Sequence, residues 1–588
     1  VAGRAVRARR VPSFKAGSPR RRLIAVVVAA GLVLAGLIGR VAMLQTLEAD
    51  EYRAASIAQR RESDTLKADR GVIFYRNGDE IAMSVPSSTV YADPALVVDP
   101  VATAATLTTM LGLSAQRQAE LTVDLADPDS RFVYVARQID EDLAASIDDL
   151  GLAGVGVYEE PKRVLPGGES ARAIVGRTDP DGVGTAGLEL QYDDVLTGVD
   201  GVIVRDLDSK GRSIPTGQEA TMPATPGDDL VLTLDRSIQF QVQQALLART
   251  AELSAKGGTA IVMDTDTGEI IALVSVKRRD DGTYTPTVGN PAATEAYEPG
   301  SVAKVISIAA ALNEGVATPD TVFTVPYKLE VDDFEIKDAY LHETEPMTVR
   351  QIMVRSSNMG TVQVVKQTGT DRQVDYMRAF GFGEQTALDF PGESKGILKD
   401  ADHLYGTERM TVAYGYGFAA TPLQLVSAVN VVANGGEYVA PKLVLGTIGV
   451  DGATVETPPS PTRTVLRPEV ADQMTSMMTD VVCQGTATLA QIPGITVAGK
   501  TGTGYKAQDN GTYEDDEGNK AYFASFVGFL PAEDPKVTIL VSIDEPDPTT
   551  QDRFGGRAAA PVFRSIAEVA IHELKLRPPA SGGCPTGG

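Results

Sequence analysis

The chain has 588 residues, 43% hydrophobic, 22% charged and none tryptophan, enough for about two to four domains with ample cores. Its formal net charge is −24, yet Arg4, Arg7, Arg9, Arg10, Lys15, Arg20, Arg21 and Arg22 crowd a first segment, residues 1–22, that holds no acid. The remainder is therefore more acidic than the total, which excludes the basic footprint of a nucleic-acid binder and fits a solvated acidic surface.

Leu23 to Gly39 is an unbroken apolar or small run that continues past Arg40 through Val41-Ala42-Met43-Leu44. Residues 23–44 are predicted to span a membrane, with Arg40 snorkelling to an interface. The run is longer than a usual signal core and lacks a clear small-x-small site with a polar lead-in, so a retained anchor is expected rather than a cleaved signal peptide. The basic block before it puts the N-terminus in the cytoplasm and everything after the span outside. Residues 45–69 read as a polar helix continuing outward. From Arg70 to about Thr225 the pattern becomes short strands and turns. Val72-Ile73-Phe74-Tyr75 followed by Asn77-Gly78 predicts a hairpin. Residues 101–153 show helical periodicity through Leu107, Met110 and Leu111, and glycines cluster around Leu188-Glu189-Leu190. Pro215–Pro226, rich in Pro, Thr and Gly, reads as a junction.

From Asp228 the character changes. Leu230–Leu234 is a predicted strand and a long helix follows from about Ser237. Thr259–Asp264 and Glu269–Val274 are predicted strands joined by a turn at Asp266-Thr267-Gly268. Helices mixed with an antiparallel sheet give an α+β fold.

Three short motifs follow in order: Ser301-Val302-Ala303-Lys304, Ser356-Ser357-Asn358 and Lys500-Thr501-Gly502-Thr503. Each is weak alone; together, about 55 and then about 145 residues apart, they are hard to reach by chance. Pro299-Gly300 breaks the chain before Ser301, and an apolar helix follows, so Ser301 is expected at a helix N-terminus that favours developing negative charge. Lys304 falls three residues on, on the same face. A serine hydroxyl needs a base, and a lysine serves as one only when burial or a nearby cation lowers its pKa; Lys500 is the candidate cation. Thr348-Val349-Arg350-Gln351 has the form of a capping box, opening a helix that delivers Ser356 to Asn358 at its far end. Lys500 to Thr503 is expected on a strand lining a cleft, with Gly502 admitting a substrate backbone and the Thr501 and Thr503 hydroxyls holding a carboxylate. Residues 505–520 read as a solvated loop between two strands. His342, His403 and His572 have no metal-ligand spacing, so no metal and no cofactor is expected. Cys483 and Cys584 could pair outside a membrane, but Cys584 lies in a tail, residues 577–588, that reads as disordered, and the pairing stays open.

The flanks carry a resemblance: Tyr297-Glu298-Pro299-Gly300-Ser301, Ala498-Gly499 before Lys500, Ala524–Phe529, and Phe554-Gly555-Gly556-Arg557 running to Phe563. With Arg70-Gly71-Val72-Ile73, Gly187-Leu188-Glu189 and Thr233-Leu234-Asp235, the chain from about 45 to 575 resembles the class B penicillin-binding proteins. One departure is Tyr75, where the family usually has an acidic residue. The resemblance implies a basic cytoplasmic tail (1–22), an anchor (23–44), a pedestal of the dimerisation type (45–225), a transpeptidase domain of the β-lactamase-like fold (226–576) and a tail (577–588). It implies acyl transfer from D-Ala-D-Ala stem peptides of peptidoglycan through an ester on Ser301. Ser356 would relay a proton, Asn358 would hold a substrate carbonyl and orient Lys304, and the backbone N–H groups of Ser301 and Thr503 would form the oxyanion hole. Arg70, Gly71 and Glu189 would be structural at the domain junction, with Glu189 the candidate partner of Arg70. β-Lactams would be covalent inhibitors. A polytopic membrane glycosyltransferase and division proteins would be partners, the division-specific type being favoured over the elongation type. No histidine lies between residues 1 and 341, which argues against a bifunctional enzyme. A β-lactamase and an inactive scaffold are the remaining alternatives.

Overall fold

The computed structural model describes residues 18–52, 61–206, 220–331, 334–506, 508, 512–514, 518, 520–577 and 582–584. Most of the basic segment, part of the 45–69 stretch, residues 215–219 of the junction, half of the 505–520 loop and most of the tail lie outside the described residues. By contacts the chain divides into residues 1–66 with 200–224, and residues 67–199 with 225–588.

In the first unit the apolar run forms helix α1 (Pro19–Thr46), which buries no residue and has a mean hydropathy of 2.4 over its best window. By length and composition it can cross a membrane. The strand Arg61–Leu66 pairs antiparallel with Gly201–Asp206, which pairs with Ala220–Met222. This corrects the expectation of a helix through residue 69. The partner strand carries Val202-Ile203-Val204, a β-branched run that offers a ladder, and the backbone of 61–66 takes it.

In the second unit, Ser88–Ala92 lies between Val133–Ile139 and Val155–Glu159. A small core of Val90, Ala92, Ala104, Leu107, Leu121, Leu125, Val135 and Ile147 forms there. The helix Pro100–Leu111 starts at the Asp99 cap with Pro100 behind it and stops at Gly112, which is left-handed. The helical periodicity read over 101–153 thus resolves into three helices, the first two parted by the turn at Gly112 and the third, Glu141–Asp148, set off by the strand Val133–Ile139.

A six-stranded sheet has the order Thr454–Glu456, Val444–Ile448, Asp229–Leu232, Ile73–Phe74, Glu80–Val85, Lys162–Val164. It takes strands from both sides of residue 226, with Ile73 against Leu230 in a parallel pair. The hairpin turn at Asn77-Gly78 joins two of them. Beside it Arg70 is buried: Nε lies 2.5 Å from Glu189 Oε2, and NH1 reaches Asp193 at 2.8 Å. Arg163 takes the other Glu189 oxygen at 2.8 Å. Gly71 is held because a Cβ there would lie 2.0 Å from the Asp228 carbonyl oxygen.

The catalytic half is built on an antiparallel sheet. Helix α2 (Arg236–Glu252) leads into β1 (Gly257–Asp264), β2 (Ile270–Arg278) and β3 (Tyr284–Pro286). The chain returns as β4 (Ala498–Tyr505), β5 (Tyr522–Leu530) and β6 (Val537–Asp544), giving the order β3-β2-β1-β6-β5-β4. The central runs, such as Thr-Ala-Ile-Val-Met in β1, are apolar on both faces because both faces are covered. Helices α2 and Ala560–Glu573 cover one face; the helix Pro422–Ala433 covers the other, where Asn430 Oδ1 accepts from Thr538 Oγ1 at 2.6 Å. β4 is an edge strand, and an edge is free to take a further extended chain.

Candidate active site

Gly300–Ala303 forms one 3-10 turn that runs into α3 (Lys304–Asn313). Ser301 therefore sits one turn ahead of the α-helix rather than on its first residue, half-buried, while Lys304 is fully buried. The turn packs directly on β4. A Cβ on Gly502 would lie 2.7 Å from the Pro299 carbonyl oxygen and 2.8 Å from Val302 Cγ2. Gly502 therefore has a steric reason that its sequence reading did not include: it admits the nucleophile's own turn.

Thr348 and Gln351 make the expected capping box on α4 (Val349–Arg355). The helix ends at Ser356, whose φ of 59° is left-handed, and the chain restarts at once as α5 (Asn358–Thr368), capped by Ser357. That break turns three consecutive side chains in different directions. Ser356 and Asn358 face Lys304; Ser357 turns inward.

Lys304 Nζ donates to the Ser356 carbonyl (2.5 Å), Asn358 Oδ1 (2.7 Å) and Ser356 Oγ (3.2 Å). Lys500, also fully buried on β4, donates to the same Ser356 Oγ at 2.9 Å and to the Thr501 carbonyl at 3.0 Å. Two buried ammonium groups sharing a site are costly. Burial, and then the positive charge of Lys500, hold Lys304 well below the ordinary lysine value, with Asp338 pulling the other way. Burial brings Lys500 down to about 7. Lowering a lysine in this way brings its free-base form, which can take a proton, within reach.

The threonines of β4 are already engaged. Thr501 Oγ1 lies 2.7 Å from Thr486 Oγ1, and Thr503 Oγ1 accepts from the Gly555 N–H at 3.2 Å. Asn358 Nδ2 donates to the Lys337 carbonyl at 2.8 Å. Three groups the sequence did not single out join the site. Asp338 is buried and accepts from Ser357 Oγ and Met359 N. Glu298, just before the nucleophile, accepts from Gly417 N at 2.8 Å and from Tyr513 of the 505–520 loop at 2.9 Å. Tyr416 donates to the Thr503 carbonyl at 3.2 Å and its ring meets Tyr505. The only sequence signal was for Glu298, through its place beside Pro299-Gly300. Arg70, Gly71 and Glu189 come together at the junction, away from this cluster. His342 pairs Asp338, and His403 lies on an exposed turn beside Asp400 and Asp402.

Cys483, at the end of α6 (Pro468–Gln484), is bonded to Cys584. Two residues beyond the helix, Thr486 touches β4. The pairing that the sequence left open is made, and residues 582–584 of the tail are ordered against the catalytic unit, where Gly583 N donates to Thr496 Oγ1 at 2.9 Å.

A half-buried serine on a turn against an antiparallel edge strand, with two pKa-lowered lysines meeting on a second serine, defines the class: serine acyl-transferases that recognise penicillin. Residues 258–568 match the model of the penicillin-binding protein transpeptidase domain, and residues 65–232 that of the penicillin-binding protein dimerisation domain. Penicillin-binding protein PbpB of Mycolicibacterium smegmatis is 32% identical, covering 95% of this chain and 91% of the relative. Peptidoglycan D,D-transpeptidase FtsI of Escherichia coli K12 is 31% identical, covering 93% and 91%. Among solved structures, penicillin-binding protein 3 of Mycobacterium tuberculosis complexed with aztreonam superposes with a TM-score of 0.67 at 27% identity, covering 89% of this chain and all of that one. A peptidoglycan synthetase of Bifidobacterium adolescentis gives 0.69 at 27% identity, covering 89% and 98%. The chain belongs to the class B penicillin-binding proteins, of the FtsI type.

Proposed function

We propose that this chain is a membrane-anchored peptidoglycan D,D-transpeptidase of septal wall synthesis, in which Ser301 is the nucleophile and Lys304 the base. The observation that carries the reading is the meeting of Lys304 and Lys500 on Ser356 Oγ beside the Ser301 turn. Ser301 Oγ attacks the carbonyl carbon of the penultimate D-alanine, and its proton passes to neutral Lys304. Charge gathers on the carbonyl oxygen, for which the N–H groups of Ser301 and Thr503 are the proposed donors. The intermediate collapses by breaking the C–N bond. The departing D-alanine amine takes the proton from Lys304 through Ser356. An amine of a neighbouring stem then attacks the ester, gives its proton back by the same route, and restores Ser301. Lys500, while charged, attracts the terminal carboxylate. Thr503 Oγ1 accepts from Gly555 N and so keeps its own proton for that carboxylate, and Thr501 keeps its proton when Thr486 is the donor of their shared bond. Asn358 holds Lys304, and its second amide proton remains for a substrate carbonyl.

Helix α1 and the basic residues before it support a single-pass anchor with a cytoplasmic N-terminus and an external catalytic unit. Likeness to the FtsI relative supports the septal role and, with it, a polytopic membrane glycosyltransferase as partner; side-wall elongation is the competing role. β-Lactams acylate the same serine in this reading.

Intact mass of the detergent-solubilised chain after benzylpenicillin, beside Ser301→Ala, tests the chemistry. A one-drug adduct on the wild type alone, lasting hours, is expected. An adduct that vanishes in seconds while hydrolysed drug accumulates would instead make it a β-lactamase. No adduct on folded protein would leave the scaffold.

A further inference from the structure

Asp338 lies outside the three motifs, in the turn after the strand Phe334–Lys337. It is only 6% exposed, and both of its carboxylate oxygens accept from the Ser356–Met359 segment. Oδ1 accepts from Met359 N at 2.9 Å and Oδ2 accepts from Ser357 Oγ at 2.6 Å. The residue before it completes the grip, because the Lys337 carbonyl accepts from Asn358 Nδ2 at 2.8 Å. Asn358 is thus held by its flanking backbone and by its own amide, and its remaining end, Oδ1, meets Lys304 Nζ at 2.7 Å. Residues 337 and 338 thus supply one bond to the Asn358 side chain and one to each of its two neighbours, and together these set its orientation toward Lys304.

We propose that Asp338 is a positioning residue for acylation: its carboxylate fixes Ser357 and the first turn of α5, hence Asn358 and Lys304, and its negative charge acts on Lys304 with His342, hydrogen-bonded to it, as the group that modulates that charge. The inference rests on the assignment of Lys304 as base.

The electrostatic part follows from who faces whom. From α3 comes Lys304, whose charged form Asp338 favours against burial and against Lys500. From the 412–414 turn comes Tyr414, whose ionisation Asp338 opposes. From its own turn comes His342, with Nε2 3.0 Å from Asp338 Oδ2 and Nδ1 2.7 Å from the Glu343 carbonyl. Glu345, at 3.6 Å, also faces the imidazole. Its hydrogen bonds to Glu343 and Asp338 outweigh its burial and raise the imidazole above its usual value. Protonated His342 offsets the Asp338 charge and so releases Lys304 from its proton more readily; neutral His342 restores the full pull. The carboxylate is therefore both a clamp and a counterweight: it stops Lys304 from being depressed without limit by burial and Lys500.

The test is the acylation of the full chain by a fluorescent penicillin, resolved into the pre-covalent constant and the acylation rate and followed across pH. Asp338→Asn keeps the shape but not the charge, so the acid limb of the rate profile is expected to move to lower pH. Asp338→Ala is expected to lower the acylation rate at least tenfold with the pre-covalent constant little changed, and Asp338→Glu to recover part of it. His342→Gln is expected to move the limb to higher pH. An unmoved limb in folded Asp338→Asn, or a loss carried wholly by the pre-covalent constant, overturns the proposal. If Asp338→Ala does not fold, Asp338→Asn alone decides it. Lys304→Ala is run beside them: an acylation rate that survives it sinks the assignment of the base, whatever the Asp338 variants do.

Discussion

Lys304 and Lys500, 196 positions apart in the chain, meet on one oxygen: Ser356 Oγ lies 3.2 Å from the first Nζ and 2.9 Å from the second. A hydroxyl between two buried amines can accept from one and donate to the other once one of them is neutral. The site therefore works only in the state where a single proton is shared by the pair, and that state has a pH window. Acylation should rise as pH climbs through the lowered Lys304 value and fall as Lys500 loses its charge near 7. The two limbs belong to the coupled pair rather than to either residue. A rate profile from about pH 5 to about pH 10 checks this, and a rate that rises without a maximum would contradict it. Lys500→Ala removes the like charge, so the acid limb should move up in pH while the rate falls roughly 100-fold.

Ser356→Ala separates relay from scaffold. Its carbonyl still holds Lys304, so the fold and the Lys304 position survive. Loss of the Oγ removes only the bridge. Acylation by a β-lactam, which keeps its leaving group attached, should fall about tenfold to 100-fold. Peptide cross-linking, which must protonate a departing amine, should fall further. Equal losses in both assays would argue against the relay.

Gly502 predicts a steric effect on a residue 201 positions away. Gly502→Ala would press a methyl onto the Pro299 carbonyl and Val302, displacing the Ser301 turn. The acylation rate should drop more than tenfold, as expected for misplacement of an attacking group by about 1 Å. Gly289→Ala, where nothing lies within 4 Å, is the control and should be silent.

Glu189 is the acid that two buried arginines share. Glu189→Ala leaves Arg163 without its acid and Arg70 with Asp193 in place of two carboxylates, and breaking a buried pair costs about 3–5 kcal/mol. The melting temperature should fall by several degrees, whereas Arg117→Ala, which removes exposed ion pairs, should change the stability by under about 1 kcal/mol.

What could be read in advance was local. The capping box at Thr348, the turns at Gly78 and Gly268 and the Ser301 break each follow from a few adjacent residues. The order of the motifs then identified the chemistry. What stayed hidden is set by distant partners. Arg61–Leu66 became a strand because Val202–Val204 lies in register with it. Asp338 sits in no motif, and only the fold brings its carboxylate against Ser357. Gly502 looked like room for a substrate because the turn that fills the space comes from far earlier in the chain.

The disulfide is the clearest case of such a partner. Cys483 and Cys584 are 101 residues apart, and the loop they close contains β4, β5 and β6. Closing a loop of this length restricts the unfolded chain by up to about 4.7 kcal/mol in the entropic account. The bond also ties the end of α6, two residues before Thr486, to the tail. Cys584→Ser should therefore lower the melting temperature by several degrees in non-reducing buffer and make it insensitive to dithiothreitol, while the wild type falls to the same value on reduction. Because the bond lies outside the Lys304–Ser356–Lys500 cluster and Thr486 reaches β4 through Thr501, the acylation rate at 25 °C should change less than about threefold. A large loss of rate with an unchanged melting temperature would mean that the bond acts on the site itself rather than on the stability of the fold.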